Sequence, residues 1–281
     1  MTSPATLLKA WNIRARKALG QNFLIHPAIA LQIVSQAQIK SDEVVLEIGA
    51  GLGVVTVAAA SCARKVIAVE IDRQLIPLLR SELLLHGAES VEIREQDILS
   101  MDLEQLATEE KYPLVVLGNL PYYISSQVMV KLIKARLSID RAVLMFQKEL
   151  AERLCARPGS RAYGRLSVLL QYCADLKRLN DVKAAHFFPK PKVDSAVVRI
   201  DFKRAIDPAV DDELLFQRVI QAAFGQRRKT LRNALASGLL PLDTQASEKL
   251  LQQTGIDSRR RAETLSVNEY VALTNRLAGM E

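Results

Sequence analysis

The segment Val44-Val45-Leu46-Glu47-Ile48-Gly49-Ala50-Gly51-Leu52-Gly53 sets an apolar strand directly ahead of three glycines at alternate positions. Glycines in such a turn let the backbone bend sharply and come close to a ligand that side chains would hold away. The loop alone does not choose a chemistry, because dinucleotide dehydrogenases use a similar one. Two details separate them. The spacing is Gly-x-Gly-x-Gly and not Gly-x-Gly-x-x-Gly, and Glu47 precedes the loop, where a carboxylate repels a pyrophosphate but suits a cationic amino acid moiety. Glu70 ends the next apolar run, about twenty residues past the loop, where a carboxylate can accept both ribose hydroxyls. Its bland alternative is a solvated strand-end acid. Asp97, in Glu95-Gln96-Asp97-Ile98, is placed to accept from an adenine amine or, alternatively, to cap a helix start. A sulfonium nucleoside without phosphates fits this set better than a dinucleotide.

After the fourth apolar run comes Gly118-Asn119-Leu120-Pro121-Tyr122-Tyr123-Ile124-Ser125-Ser126. Asn-x-Pro-Tyr here resembles the Asn/Asp-Pro-Pro-Tyr/Phe loop of methyltransferases that act on planar exocyclic amines, and Asn-Leu-Pro-Tyr is similar to the form found in rRNA adenine dimethylases. An adenine amine delocalises its lone pair into the ring and is a poor nucleophile. The residues suit pulling it toward tetrahedral geometry: the side-chain oxygen of Asn119 and the backbone carbonyl of Leu120 can each accept a hydrogen, and Pro121 fixes the turn that presents them. Tyr122 supplies a π-face, with stacking and attraction to the developing ammonium each worth on the order of 1–3 kcal/mol. The alternative is an ordinary Asn-Pro turn beside a core tyrosine.

These residues need a scaffold that brings strand ends together. From Glu43 to Phe202 short β-branched runs alternate with longer patterns of three- and four-residue apolar spacing, which predicts an α/β domain with a mainly parallel sheet. The strand candidates are Val44–Ile48, Val66–Val69, Val91–Arg94, Leu114–Gly118, Ala142–Phe146, Ser167–Tyr172 and Ser195–Phe202, with crossover helices such as Arg73–Leu85 and Gln127–Ala135. Beyond Ile206-Asp207-Pro208, amphipathic helices are expected over Asp211–Phe224, Arg228–Ala236, Ser247–Thr254 and Val267–Leu277. Open parallel sheets bind ligands beyond the carboxyl ends of their strands.

From Ala18 to about Leu265 the chain resembles bacterial small-subunit rRNA adenine-N6,N6-dimethyltransferases, through several further motifs. Lys17-Ala18-Leu19-Gly20-Gln21-Asn22-Phe23-Leu24 matches the family's segment ahead of the first strand; by that resemblance Asn22 and Leu24 touch the cofactor, with Gln21 nearby. His186-Phe187-Phe188-Pro189-Lys190-Pro191-Lys192-Val193-Asp194-Ser195 matches its Phe-x-Pro-x-Pro-x-Val loop. Phe187 would then wall a flipped base opposite Tyr122, since a base inside a helix cannot reach a buried cofactor; either phenylalanine is alternatively core. Arg157-Pro158-Gly159-Ser160-Arg161-Ala162-Tyr163-Gly164-Arg165 and Ala223-Phe224-Gly225-Gln226-Arg227-Arg228-Lys229-Thr230-Leu231-Arg232-Asn233 match further blocks. They suggest phosphate contacts from Arg157, Arg161, Arg227, Arg228, Lys229 and Arg232, which position RNA without reading a base. One departure stands out: Tyr123 occupies a position that is often asparagine in the family.

The resemblance implies a Rossmann-like class I methyltransferase fold, with a seven-stranded mainly parallel sheet and a small all-helical C-terminal domain. The expected division is residues 1–205, with a cofactor-covering segment over about 1–40, and residues 206–281. It implies S-adenosylmethionine as methyl donor bound by Gln21, Asn22, Leu24, Glu47, Gly49, Gly51, Glu70, Asp97 and Asn119, and a reaction site of Asn119, Leu120, Pro121, Tyr122 and Phe187. It further implies two adjacent adenosines in the 3′-terminal hairpin of small-subunit rRNA as target, in an assembling 30S particle. No metal is expected, nor an oligomer.

Composition bounds the alternatives. Thirty-eight lysines and arginines against 31 acids give a net charge of +7, which favours a polyanionic partner. No apolar stretch approaches the roughly 18 to 20 residues of a membrane span, and residues 1–17 lack a secretory apolar run, so a cytoplasmic protein is expected, with an organelle transit segment as the alternative. Cys62, Cys155 and Cys173 share no metal or redox spacing and are expected to be buried reduced thiols. The rival readings are a large-subunit rRNA adenine methylase, a non-catalytic RNA-binding factor on the same fold and, more distantly, a nicotinamide dehydrogenase. Intact Glu70, Asp97 and Asn119-Leu120-Pro121-Tyr122 speak against the second, and Glu47 and the loop spacing against the third.

Overall fold

The computed structural model describes residues 2–280. The chain begins with α1 (Pro4–Ala10), β1 (Phe23–Leu24) and α2 (Pro27–Ala37). It then alternates β2 (Val44–Ile48), α3 (Val54–Ala60), β3 (Lys65–Glu70), α4 (Ile76–Leu85), β4 (Val91–Glu95), α5 (Leu103–Glu110), β5 (Leu114–Asn119), α6 (Ser125–Lys134) and β6 (Ile139–Gln147). α7 (Lys148–Leu154) and α8 (Arg165–Cys173) precede β7 (Ala174–Val182), β8 (Phe187–Phe188) and β9 (Ser195–Phe202). α9 (Glu213–Gly225), α10 (Leu231–Leu235), α11 (Thr244–Gln253) and α12 (Val267–Ala278) follow. Among the described residues no helix is long and apolar enough to cross a membrane.

Seven strands form one sheet in the order β4-β3-β2-β5-β6-β9-β7, and β1 pairs with β8 in a separate two-stranded ribbon. β2, β3, β4, β5 and β6 run parallel, while β9 is antiparallel to β6. The sequence pattern predicts such a mainly parallel α/β sheet, and the arrangement is the Rossmann-like methyltransferase fold that the resemblance implies. Strands covered by helices on both faces must be apolar throughout, and every residue of β2 is buried, Glu47 included. The chain leaves β2 toward one side of the sheet and returns to its other side at β5, so the carboxyl ends of these neighbours open a crevice at the switch point.

The register makes that crevice specific. Ile48, the last residue of β2, lies opposite Gly118, and Asn119 therefore emerges beside the glycine loop. The approach is close: a β-carbon at Gly118 would lie 2.9 Å from the Ile48 carbonyl oxygen.

One strand assignment does not hold. Ser167–Tyr172 lies within α8, and the strand follows it as β7. A short continuous apolar run does not distinguish helix from buried strand by periodicity. Here Val168 and Tyr172, four apart, are buried with Ser167, Leu170 and Cys173, and the Ser167 hydroxyl accepts the Gly164 N–H at 3.0 Å at the helix start. β7 carries charged residues because it lies at a sheet edge.

The chain divides into two compact units. One comprises the residues up to Ala151 with Asp175–Phe202, the other Glu152–Ala174 with the residues from Lys203 onward. A boundary at 205/206 thus leaves out Glu152–Ala174, which joins the helical unit because α8 packs on α9 and α12. That unit is centred on aromatic rings: Tyr172 lies 4.6 Å from Phe216, and Phe224 stacks on Tyr270 at 6.0 Å. The Tyr270 hydroxyl donates to the Ala262 carbonyl, and Ser266 and Glu269 form a reciprocal cap on α12. Of the three cysteines expected to be buried only Cys173 is; Cys62 and Cys155 are half-buried, and none of the three is in a disulfide.

Gly118→Ala is expected to destabilise the protein by about 1–3 kcal/mol, the cost of overpacking against backbone that cannot yield. Urea unfolding of the two proteins measures it; an unchanged midpoint would show that β2 and β5 are free to separate.

Candidate active site

The crevice is a cavity of about 420 Å³ within the first unit, of a size that suits a nucleoside cofactor. Glycine loop, strand ends and acceptor loop all reach it. Gly49 and Ala50 both donate their N–H to the Val69 carbonyl, at 2.9 and 3.0 Å, which ties the loop to β3. Gly51 adopts a left-handed φ of 57°, and a β-carbon there would press on the Phe23 ring at 3.3 Å. This backbone can therefore pass beneath the N-terminal segment only as glycine.

Three acids line the cavity. Glu70, at the end of β3, accepts the Gly51 N–H on Oε2 and the Asp72 N–H on Oε1, both at 2.8 Å. Burial still raises its pKa above the ordinary carboxylate range, against the pull of those N–H groups. Glu47 is 2% exposed and accepts the Thr56 hydroxyl at 2.5 Å. Desolvation pushes its pKa up to about 8, with the nearby Glu70 carboxylate adding to the rise. Asp97 is half-buried, and its Oδ1 accepts the Leu99 N–H at 2.9 Å, so it caps a turn and also lines the cavity. Asp97 therefore does not cap a helix start: the next helix, α5, is capped by Asp102. No lysine, arginine or histidine is among the lining residues. A cavity with three carboxyl groups and no cation suits a positively charged, phosphate-free ligand.

The acceptor loop closes the other end. Asn119 lines the cavity and donates through Nδ2 to the Asn22 carbonyl at 3.0 Å, which engages the donor end of its amide. Leu120 buries its side chain, and its N–H donates to the Met145 carbonyl at 3.2 Å, fixing the peptide that carries its own carbonyl. The Pro121 carbonyl accepts the Ile124 N–H and the Ser125 hydroxyl, which shape the turn. Tyr122 is half-buried, with its hydroxyl 3.0 Å from that of buried Ser195, and its pKa is raised by burial. The ring is thereby held at the cavity wall.

Gln21, Asn22, Leu24, Glu47, Gly49, Gly51, Glu70, Asp97, Asn119, Leu120, Pro121 and Tyr122 all line this one cavity. Phe187 does not. It is 2% exposed, lies opposite Leu24 in the β1/β8 ribbon and belongs to the apolar core with Met145 and Val197. Successive strand residues face opposite ways, so its neighbour Phe188 is the one at the surface, 39% exposed. The assignment of Phe187 as a base-facing wall is corrected accordingly.

Sequence reasoning also missed lining residues. Phe23 and Gln96 flank residues that were identified, and Tyr123, singled out only as a departure from the family, lies at the cavity with its ring against Gly20. The expected RNA contacts all fall in the helical unit. Arg157, Arg161, Arg228 and Lys229 are exposed there. Arg227 instead spends its guanidinium on the Arg161 and Tyr163 carbonyls, both at 3.0 Å, and Arg232 pairs with Glu248 at 2.7 Å. These two hold the unit together as well as adding charge.

The proton on Glu47 gives a pH prediction. Between the ordinary carboxylate value and about 8 the folded chain binds a proton that the unfolded chain lacks, so this group's contribution to stability falls as pH rises across that window. The limiting slope is about 1.4 kcal/mol per pH unit. Glu47→Gln removes it: the variant's unfolding free energy should vary less than the parent's between pH 5 and about 8, in urea titrations at stepped pH. Parallel curves for the two proteins would contradict the assignment.

The profile of the ribosomal RNA adenine dimethylase family matches residues 12–278. Ribosomal RNA small subunit methyltransferase A of Desulforapulum autotrophicum is 50% identical over 280 residues, covering 100% of this chain and 98% of that protein. The protein of that name from Alkaliphilus metalliredigens is 40% identical, covering 98% and 96%. Among solved structures, a dimethyladenosine transferase from Plasmodium falciparum superposes with a TM-score of 0.76 at 28% identity, covering 89% of this chain and 95% of that one. The 23S rRNA methyltransferase ErmE gives 0.70 at 25% identity, covering 92% and 100%. With the glycine loop, the strand-end acids and the Asn-Leu-Pro-Tyr turn gathered in one cavity, this chain belongs to the ribosomal RNA adenine dimethylase family.

Proposed function

We propose that this protein transfers methyl groups from S-adenosylmethionine to the N6 amines of two adjacent adenosines in the 3′-terminal hairpin of small-subunit rRNA, giving N6,N6-dimethyladenosine on an assembling subunit. The observation that carries the reading is a cavity with acids and no bases that ends at the Asn119–Tyr122 turn. The names of the relatives at 50% and 40% identity support the small subunit over the large one as target.

When bound, S-adenosylmethionine supplies an electrophilic methyl group on a cationic sulfur. Glu70 is the group to hold ribose hydroxyls, and Glu47, behind the glycine loop, faces the positively charged end. Asp97, which lines the same cavity, would accept a hydrogen bond from the cofactor's adenine amine. On the acceptor side Asn119 Oδ1 and the Leu120 carbonyl would accept hydrogen bonds from the two N–H groups of the target amine, so that its lone pair turns toward the methyl donor. Tyr122 stacks the base and faces the ammonium as it develops. Orienting the reactants in this way supplies much of the acceleration. Once the methylated ammonium has released a proton to solvent, a single N–H remains, which one acceptor suffices to hold. Exposed Arg228, Lys229, Arg157 and Arg161 contribute salt-dependent phosphate binding.

The test incubates the protein with methyl-labelled S-adenosylmethionine and small subunits lacking adenine dimethylation, with large subunits as control, followed by digestion to nucleosides. Dimethyladenosine should form on small subunits, and Asn119→Ala should lower the rate by about a hundredfold or more. Tight subunit binding without label would replace this reading with that of a non-catalytic assembly factor.

A further inference from the structure

Asp72 is 1% exposed although it carries a carboxylate, and a buried charge is retained only where it is fully hydrogen-bonded. Its partners come from a segment more than fifty positions away. Arg16 Nη1 donates to Oδ1 at 3.2 Å, and Gln21 Nε2 donates to Oδ2 at 2.7 Å. Gln21 closes the triangle by accepting the Arg16 N–H on Oε1 at 2.8 Å. Local turn capping accounts only for the Gln74 N–H, which reaches Oδ1 at 3.2 Å. On its other side Asp72 donates its own N–H to Glu70 Oε1.

The segment anchored in this way meets the acceptor loop at two points. Asn22, next to Gln21, presents its carbonyl to Asn119 Nδ2, and its own side-chain amide donates to the Gly20 carbonyl at 2.9 Å. Gly20, at a φ of 62°, lies so close that a β-carbon would sit 3.4 Å from both Pro121 and Tyr123. Leu7 and Leu8 of α1 share an apolar cluster with Phe23, Leu52 and Leu75, which holds the segment over the glycine loop. A continuous chain of contacts therefore runs from Glu70 through Asp72, Gln21 and Asn22 to Asn119.

We propose that Asp72 and Gln21 are positioning residues that latch residues 16–24 across the cavity and so couple the cofactor-binding carboxylate Glu70 to the orientation of Asn119. The proposal rests on the function proposed above and deepens it. A ligand at Glu70 steadies the latch and thereby the acceptor loop, and by reciprocity a base at Asn119 tightens the hold on the cofactor. A lid alone would affect cofactor retention without affecting the geometry of transfer.

The experiment uses the full chain and two variants, Gln21→Ala at a half-buried position and Asp72→Asn, with thermal unfolding as a check on folding. Hydrogen exchange of the 118–124 peptide reads the latch without requiring activity, and it should rise about tenfold in both variants. Under saturating S-adenosylmethionine, kcat should fall about tenfold while cofactor affinity changes only a fewfold. Unchanged exchange at 118–124 in folded Gln21→Ala overturns the proposal, as does a loss of cofactor affinity with kcat intact. A parent protein that transfers no methyl group would refute the proposed function, and the exchange measurement would still decide on the latch.

Discussion

A single hydrogen bond, from Asn119 Nδ2 to the Asn22 carbonyl, decides what the acceptor loop can do. An amide offers a donor end and an acceptor end, and only the acceptor end can hold a hydrogen of an amine. The backbone of the N-terminal segment occupies the nitrogen, and the oxygen is the end to which the proposed function gives the ligand. Much of the first unit serves that contact. The switch in strand order brings β5 beside β2, the absence of a side chain at Gly118 lets the two strands close, and the Leu120 N–H to Met145 bond stops the loop from turning. The Asp72 cluster holds the partner in place from the other side of the cavity.

The electrostatics of the cavity run opposite to those of most nucleotide sites. Phosphate-binding loops place helix N-termini and cations at the ligand. Here a comparable glycine loop is surrounded by Glu47, Glu70 and Asp97 without a balancing side-chain cation. Burying Glu47 and Glu70 in one cavity is costly without a ligand, and the cost appears as raised pKa values at both. A cationic ligand relieves it.

What could be read from the sequence was whatever has a local signature. The glycine loop, its acids and the Asn-Leu-Pro-Tyr turn combine residue type with position after an apolar run, and all lie in the cavity. Ser167–Tyr172 was misread as a strand because a six-residue segment is too short to show a period of its own. Phe187 and Phe188 are adjacent, and their facing depends on a pairing with β1 that follows from the tertiary fold. The same limit hid Asp72, whose partners at Arg16 and Gln21 are distant in sequence and leave no pattern. It also hid the structural side of Arg227 and Arg232, since a basic run reads as surface charge whether its guanidinium groups face solvent or backbone carbonyls.

The central claim is that the oxygen of Asn119, and not merely the presence of its amide, promotes transfer. Asn119→Asp keeps an acceptor oxygen and loses the donor to Asn22, whereas Asn119→Ala loses both, so single-turnover methyl transfer under saturating cofactor and RNA separates the two roles. The account predicts that Asn119→Asp retains a rate about tenfold or more above that of Asn119→Ala. Equal rates in the two variants would contradict it, because they would leave the bond to Asn22 as the sole contribution of the side chain.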